Sequence, residues 1–217
     1  ADARRTKILN IARDDDEEPA EIRQLQVSLT NKNCVFVSEV SSLYTQKRGG
    51  VGNKLKMDNG EYVINSVAVN SNEEVLFFSK SGNVFHHSAS DITLNEKFHI
   101  QSILPAKDWE TICAISSTNR KSTKPYILFF TKQGYVKKSE ISEYNIGRNV
   151  ALKALTLEPG DEIVNVIFTD SERVGILTAT GNFIIIETED IRPIGRVARG
   201  VKAIKLNEDD YVISARA

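Results

Sequence analysis

Apolar and polar residues alternate in four short segments that recur along this chain at a nearly constant spacing. Each segment begins with Ser or Thr, reaches Gly or Asn three residues later, and has apolar residues two and ten positions after that turn residue; the segments are 30–43, 79–92, 131–144 and 178–191. Gly or Asn at this position is typical of a type I turn followed by a left-handed residue. The pattern therefore predicts four β-hairpins.

A second strand pattern lies between the hairpins. An acidic or polar start is followed by alternating Val and Ile in segments 61–69, 109–117, 161–169 and 210–216. β-branched residues at every second position are typical of half-buried strands. Since no segment carries a long helical stripe, the sequence predicts an all-β protein.

The spacing of the hairpins predicts how the strands are arranged. The first residues of the four segments are 49, 52 and 47 positions apart, which makes a unit of about 50 residues. A single sheet of this size cannot bury both of its faces, whereas radial repetition buries them and shortens exposed edges. We therefore predict a propeller-like disc of about four blades, with repeats near 25–60, 61–108, 109–160 and 161–217. A β-sandwich is the structural alternative, but it does not predict a regular period.

Composition is that of an ordinary globular protein, and charge is unevenly distributed. Apolar residues make up 41% and charged residues 26% of the 217 residues, and no apolar run approaches the roughly 20 residues that a membrane helix needs. The net charge is −1, but residues 1–21 hold seven anions and four cations, which leaves 24 cations and 22 anions in the body. The acidic run RDDDEEPAE at 13–21 predicts a solvated linker or tail.

The sequence shows no catalytic or metal-binding set. Cys34 and Cys113 lack CxxC spacing and have apolar neighbours, so we expect two buried free thiols in a reducing compartment. His86 and His87 are adjacent strand residues whose side chains point to opposite faces, which argues against a shared metal. No GxSxG, HExxH or Walker motif is present. Because the chain opens with Ala1 rather than Met, we expect a piece of a longer protein.

The segment Gln46–Gly52, QKRGGVG, is the strongest candidate for a binding site. Two cations, Lys47 and Arg48, precede three glycines. Glycines let the backbone approach a phosphate closely and expose amides that form an anion nest, and the cations neutralise phosphate charge. Lys54 and Lys56 extend the positive patch. The alternative interpretation is a turn-rich surface loop with solvated lysines.

These features together resemble the C-terminal domain of the bacterial DNA gyrase A subunit, whose close relative is the topoisomerase IV A subunit. The resemblance rests on the period, on the strand–turn–strand FFTKQGYVKKSEISEY at 129–144, and on QKRGGVG, which matches six of the seven positions of the family's gyrase A box. Val51 stands where the family has a cation, and ARRTKI at 3–8 resembles the segment before the first blade. The blade number departs from the family, because gyrase A tails usually have six blades.

The resemblance implies a β-pinwheel, a disc whose blades exchange strands with their neighbours and whose basic rim binds and bends DNA. It also implies that the box links the first blade to the last. Among the equivalent loops, 192–201 is the most basic, whereas 94–100 has only Lys97, which we expect to be a solvated side chain. Lys137 and Lys138 point to opposite strand faces, so one is expected at the rim. The residues expected to contact DNA are Gln46, Lys47, Arg48, Gly49, Gly50, Gly52, Lys54, Lys56, Lys137, Lys138, Arg148, Arg192, Arg196, Arg199 and Lys202.

The resemblance further assigns residues 1–22 to an acidic linker from the breakage-reunion domain and 23–217 to the DNA-binding pinwheel. It implies a domain that wraps double-stranded DNA and presents it to the core of an ATP-dependent type IIA topoisomerase, DNA gyrase. The implied partners are DNA, the rest of the A subunit and the B subunit, in the bacterial cytoplasm with the nucleoid and without a membrane. The catalytic tyrosine, ATP and Mg²⁺ belong to other domains in this family, so we expect no catalytic residue and no cofactor here.

Three functional alternatives stay open. A topoisomerase IV A-subunit domain would orient DNA without wrapping it. A propeller that binds protein would show no DNA binding at low salt and would carry an exposed apolar patch. A propeller enzyme would need a clustered catalytic set. The fold alone cannot choose between them, because one fold carries many functions.

Overall fold

The computed structural model describes residues 21–42, 45–118, 126–144 and 151–217, in which β-strands are joined by turns. The strands are β1 (Gln24–Thr30), β2 (Cys34–Glu39), β3 (Val63–Asn70), β4 (Glu74–Ser79), β5 (Asn83–Ser88), β6 (Lys97–His99), β7 (Ile112–Ser117), β8 (Tyr126–Thr131), β9 (Tyr135–Glu140), β10 (Leu152–Lys153), β11 (Ile163–Phe168), β12 (Arg173–Thr178), β13 (Phe183–Glu187), β14 (Val201–Lys202) and β15 (Val212–Arg216). Short 3-10 turns occupy Val40–Ser42, Ala89–Asp91, Ile100–Ser102, Ile141–Tyr144 and Thr188–Asp190. The described ranges contain no α-helix, and so none that could cross a membrane. The predicted all-β class is confirmed.

The four predicted hairpins are confirmed as β1–β2, β4–β5, β8–β9 and β12–β13, all antiparallel. Their turn residues have positive φ angles: 55° at Asn33, 85° at Gly82, 82° at Gly134 and 89° at Gly181. A positive φ is strained for residues that carry a side chain, and Asn adopts it more readily than most of them. The recurring Gly or Asn therefore reports a backbone requirement.

Each hairpin forms the middle of a sheet, which we call a blade. From the inside outward, the blades have the strand orders β3-β1-β2-β6, β7-β4-β5-β10, β11-β8-β9-β14 and β15-β12-β13. The four inner strands line one cavity, to which they contribute Ser66, Ser116, Ile167 and Arg216. The chain is therefore a propeller of four blades around this cavity, as predicted.

The outermost strands cross between blades. β6 follows the second hairpin but pairs with β2 of the first blade, and β10 and β14 pair in the same way with β5 and β9. Each of these strands is only two or three residues long. The strand exchange that defines a pinwheel is therefore present. Within the described residues, β13 has no such outer partner.

Apolar clusters fill the three spaces between successive blades. In β4, Val75 and Phe77 belong to the cluster shared with the first blade, whereas Leu76 and Phe78 belong to the cluster shared with the third. Alternate residues of one strand thus serve two interfaces. Each middle blade buries both of its faces, which is the physical reason for the radial arrangement.

The fourth blade exposes the face that the first three blades pack against the next blade along the chain. Val35 and Val37, the second and fourth residues after the first turn, are fully buried against the second blade. Their equivalents after the fourth turn, Phe183 and Ile185, are 63% and 59% exposed. Phe183 and Ile185 therefore form an exposed apolar patch at positions that pack between blades elsewhere in the repeat, and no described residue covers this patch.

The acidic residue before each inner strand holds the hairpin turn of its own blade. Thr30 Oγ1 donates a 2.8 Å hydrogen bond to the buried Glu61, and the Thr180 amide donates a 3.1 Å bond to Asp210. The corresponding acids of the middle blades are Glu110 and Asp161. Burial acts to raise the pKa of Asp210, but hydrogen bonds from Thr180 and Thr178 hold it well below its ordinary value. The acidic starts seen in the sequence are structural clamps.

Both cysteines are free, and they are half-buried rather than fully buried as expected. Burial raises the pKa of the Cys113 thiol to about 12 and also raises that of Cys34. His86 is buried and faces the third blade, while the adjacent His87 is half-buried. In the part of the chain that the structure describes, no three His, Cys, Asp or Glu side chains are grouped to hold a metal.

Candidate nucleic-acid interface

The segment 45–57, which we call the box loop, follows the first hairpin and contains QKRGGVG. The Gly50 amide donates to the Lys47 carbonyl at 3.0 Å, and the Gly52 amide donates to Gln46 Oε1 at 2.8 Å. Gly49 and Gly52 have φ angles of 89° and 77°. A Cβ at Gly50 would lie 2.5 Å from Gln46 Oε1, so a side chain there would displace the oxygen that accepts from the Gly52 amide. The box is a turn that its own residues hold together.

The cations of the box loop are exposed. Lys47, Arg48, Lys54 and Lys56 all have exposed side chains. No ion pair with another described residue engages any of them. Val51, which departs from the family pattern, is fully exposed at 103%. The loop therefore presents positive charge to solvent, where a phosphate can reach it.

The segment 192–200, which we call the arginine loop, follows the fourth hairpin and is bonded to its surroundings. The Ile194 amide donates to the Lys138 carbonyl at 2.9 Å, and Ser139 Oγ donates to the Ile194 carbonyl at 2.8 Å. Thr156 Oγ1 donates to the Val197 carbonyl at 2.7 Å. A Cβ at Gly200 would lie 2.5 Å from the Val136 carbonyl oxygen. The backbone of this loop is thus docked on the third blade.

The predicted cations of this region differ in how far they are available. Arg192 is exposed, whereas Arg199 is exposed but paired with Glu158. Arg196 is half-buried, and its Nη1 is buried without a hydrogen-bond partner among the described residues. Lys202 Nζ donates to the Gln133 carbonyl at 2.9 Å. It also lies 4.4 Å from the centroid of the Tyr135 ring.

Lys137 is not at the surface, which corrects its assignment as a DNA contact. Its side chain is fully buried, and Nζ donates to the carbonyls of Ala154, at 2.6 Å, and of Arg196. Tyr144 Oη lies 3.3 Å from the same nitrogen. Burial lowers the pKa of Lys137 to about 8. A side chain without accessible surface cannot touch a duplex. Strand alternation correctly predicted that Lys137 and Lys138 point to opposite faces, but it left open which of the two is buried.

Lys138 is half-buried and is bound within the fold. Its Nζ donates to the Thr188 carbonyl at 2.9 Å and lies 4.8 Å from the centroid of the Tyr126 ring. Arg148, another predicted contact, lies outside the described residues.

Lys97 was expected to be a solvated side chain, and this expectation was wrong. Its Nζ lies 2.7 Å from Asp58 Oδ2 and 2.9 Å from Glu61 Oε2, and its side chain is only 22% exposed. Hydrogen bonds to Asp58 and Glu61 raise the pKa of Lys97. The Asp58 amide and Lys97 together lower the pKa of Glu61 to about 2. The charge of Lys97 is therefore used to hold the first blade together.

The register of the exchanged strands reveals a lysine that the sequence reasoning missed. Lys153 of β10 is exposed and stands opposite Asn83, just as Lys202 of β14 stands opposite Tyr135. A sequence signal could have found it, because a lysine stands eight positions before the acidic clamp in two repeats. These are Lys153 before Asp161 and Lys202 before Asp210. Lys153 belongs to the same row of outer-strand positions as Lys202.

Comparison with known proteins places this architecture in a family. The family described as "DNA gyrase C-terminal domain, beta-propeller" matches residues 27–70, 73–93, 125–170 and 176–217. The gyrase A subunit of Helicobacter pylori is 33% identical over 199 residues, which cover 87% of this chain and 24% of that protein. The gyrase A subunit of Deinococcus deserti is 30% identical over 223 residues, or 98% of this chain and 28% of that protein. The chain thus spans about a quarter of the length of these relatives.

Solved structures show the same fold. The C-terminal domain of a DNA topoisomerase IV aligns with a TM-score of 0.77 at 24% identity, covering 91% of this chain and 62% of that one. A gyrase A C-terminal domain aligns with a TM-score of 0.65 at 22% identity, covering 88% and 64%. The family match over four stretches agrees with the four hairpins, the exchanged outer strands and the box loop. The chain belongs to the family of DNA gyrase C-terminal β-propeller domains.

Proposed function

We propose that this chain binds double-stranded DNA along its rim and bends it, as the C-terminal domain of a gyrase A subunit. The observation that carries the proposal is the box loop, where exposed cations stand on a glycine turn and pair with no described carboxylate. Exposed Lys153 and Lys202 on successive outer strands extend the positive path beyond that loop. The rest of the A subunit and the B subunit are the proposed partners, and ATP-dependent topoisomerase activity belongs to that larger assembly.

The proposed mechanism is electrostatic. Lysine and arginine side chains on successive blades neutralise phosphates and release counterions, which makes affinity fall steeply with salt. Contacts to phosphate position the duplex but carry little sequence information, so sequence preference should be weak. Bending a short site by tens of degrees costs on the order of 1–6 kcal/mol, which several contacts must offset. A row of cations on several blades meets this requirement better than one loop does.

The choice of gyrase over topoisomerase IV rests on the sequence. The curated relatives cited above are gyrase A subunits, and the box keeps six of seven family positions. The topoisomerase IV domain has the higher TM-score, but at 24% identity that likeness concerns the fold. We therefore propose that the chain wraps DNA, and a topoisomerase IV-like domain that only orients DNA is the second candidate.

The exposed apolar patch on the fourth blade does not favour a protein-binding propeller. Phe183 and Ile185 occupy the positions that earlier blades bury against the next blade. The architecture therefore accounts for the patch without a foreign partner.

Binding of a duplex of about 100 base pairs across a salt series tests the proposal. We expect a steep salt slope that falls by about two units in Lys47→Ala/Arg48→Ala, since each lost phosphate contact removes about 0.9. The matched control is Lys80→Ala/Lys132→Ala, which removes two cations that already pair with Glu162 and should leave the slope nearly unchanged. Absence of binding by the unmodified chain at low salt would overturn DNA binding.

Wrapping is tested separately from binding. Closed circular DNA is incubated with the chain and relaxed by a nicking-closing enzyme. The protein is then removed and the linking number of the DNA is measured. A change that grows with protein and is lost in Lys47→Ala/Arg48→Ala supports wrapping. Binding without any change in linking number would instead support the second candidate, a domain that orients DNA.

A further inference from the structure

We infer that Lys137 is a positioning residue, whose buried ammonium group ties the arginine loop to the third blade and so sets where Arg192, Arg196 and Arg199 stand on the rim. The role of this loop in binding rests on the proposed function. The contacts that position it are independent of that function.

The ammonium group of Lys137 joins three segments of the chain. It lies on β9 and donates to the carbonyl of Ala154 at 2.6 Å, to the carbonyl of Arg196, and to Tyr144 Oη at 3.3 Å. Ala154 follows β10, Arg196 lies in the middle of the arginine loop, and Tyr144 ends the 3-10 turn after β9. An ammonium has three N–H groups, so each finds one acceptor here.

Packing alone does not explain a lysine at this position. Counted from the turn residue, the equivalent positions of the other three hairpins are Phe36, Phe85 and Ile184. An apolar side chain thus suits this site elsewhere, and burying a charge is costly unless it is fully hydrogen-bonded. Nζ also lies 5.6 Å and 5.9 Å from the ring centroids of Phe129 and Tyr144. The lysine differs from its equivalents in one capacity, which is to hold two backbone carbonyls at once.

The carbonyl that Lys137 holds is central to the arginine loop. The Arg196 amide donates to the Glu143 carboxylate at 2.5 Å, so both sides of this residue are fastened to the third blade. Further bonds of the loop, at Ile194, Val197 and Ala198, flank the same residue. Loss of the Arg196 contact would therefore let the arginines move while the sheet stays intact.

The protonation state of Lys137 adds a measurable signature. Burial lowers its pKa to about 8, with Glu143 acting to raise it and Arg196 acting to lower it. Those two residues are the charged groups that face it, and Tyr144 is the third titratable neighbour, with a pKa that burial raises. A neutral amine keeps two N–H groups, enough for the two carbonyls, but it loses the charge that makes hydrogen bonds from an ammonium group roughly twice as strong as neutral ones. The loop should therefore loosen as pH rises above about 8.

Amide hydrogen exchange of the segment 194–200 tests the inference directly. In Lys137→Met, which keeps an unbranched apolar stem, we expect exchange there to be about tenfold faster, because one hydrogen bond from a charged group is lost. Lys132→Met on the same hairpin, where the lysine side chain is 41% exposed and pairs with Glu162, is the matched control and should leave the segment unchanged. In the unmodified chain, exchange corrected for its intrinsic pH dependence should accelerate between about pH 7 and pH 9. An unchanged segment in Lys137→Met, or a flat pH profile in the unmodified chain, would overturn the inference.

DNA affinity then separates positioning from general destabilisation. We expect Lys137→Met to weaken binding several-fold in the unmodified background and to have no effect once Arg192, Arg196 and Arg199 are all alanine. Equal losses in both backgrounds would mean that Lys137 only stabilises the fold. If the unmodified chain does not bind DNA, the proposed function fails, and the exchange measurement alone decides the role of Lys137.

Discussion

The box loop and the arginine loop are equivalent segments of the repeat, yet they have opposite surroundings. Leu55 and Met57 stand six and four positions before the clamp Glu61, just as Ile204 and Leu206 precede the clamp of the fourth blade. Ile204 is buried, and its amide and that of Ala203 donate to the Gly134 carbonyl, whereas its equivalent Leu55 is half-buried. Met57 and Leu206 are both half-buried. The arginine loop has a preceding blade on which to dock, whereas the hydrogen bonds at the box turn are internal to it.

This difference shows how one repeat pattern can produce two kinds of rim segment. In the arginine loop, docking uses part of the charge, since Arg199 pairs with Glu158 and Arg196 is half-buried. In the box loop, Lys47 and Arg48 remain exposed and pair with no described carboxylate. We therefore expect the box to supply most of the binding free energy, although the arginine loop has more arginines.

The largest expected effect comes from removing charge from each loop in turn. Lys47→Ala/Arg48→Ala should weaken DNA binding on the order of 50-fold at about 0.1 M salt, because two phosphate contacts are lost. Arg192→Ala/Arg199→Ala should weaken it less, since Glu158 already offsets one of these charges. Titrations of the same duplex with both variants measure the contrast. A larger loss from the arginine pair would reverse the comparison.

Alanine at one glycine in each loop should act on different properties. Gly200 has a φ of 101°, and a Cβ there would lie 2.5 Å from a backbone carbonyl, so Gly200→Ala should lower the free energy of unfolding by about 2 kcal/mol. Gly50→Ala should displace Gln46 and weaken DNA binding with little loss of stability, because the turn bonds only to itself. Denaturant unfolding and DNA titration of both variants check this. A strong loss of stability in Gly50→Ala would show that the box is docked after all.

Glu61, the acidic clamp of the first blade, makes the stability of the fold depend on pH. The pKa of Glu61 is lowered from 4.5 to about 2, so its ionised form stabilises the folded state above about pH 4.5. That contribution is lost as pH falls toward about 2, because the unfolded chain takes up the proton first. The free energy of unfolding should therefore drop over this window in the unmodified chain and drop less in Glu61→Gln. Identical profiles for the two proteins would remove Glu61 from this role.

The smallest expected effect is a gain. Val51 is fully exposed at 103%, so Val51→Lys should add a cation to the box without loss of stability. We expect DNA affinity to rise several-fold and the salt slope to steepen by about one unit. Val51→Gln is the uncharged control. An equal effect of both substitutions would show that charge is not the cause.

The hairpins were predictable because their signals are local. A left-handed Gly or Asn and the alternation around it depend on backbone sterics within a few residues, and all four turns followed this rule. The exchanged strands β10 and β14 were not located, since two residues carry no pattern of their own and each pairs with a different repeat. Lys97 was misjudged for a related reason, because its partner Glu61 lies 36 positions away.

The sequence by itself determined the repeat, the hairpins, the all-β class and the exposed glycine-rich box, because periodicity and turn chemistry act over short distances. Only the tertiary structure decided which cations serve the rim and which serve the fold. Lys137 and Lys138 are adjacent in sequence, and their side chains point to opposite faces of the strand. The packing of the adjacent segments determines that Lys137 is the buried one and that it donates to two backbone carbonyls. Burial and pairing depend on residues distant in sequence, which is why the availability of a charge cannot be predicted from its own neighbourhood.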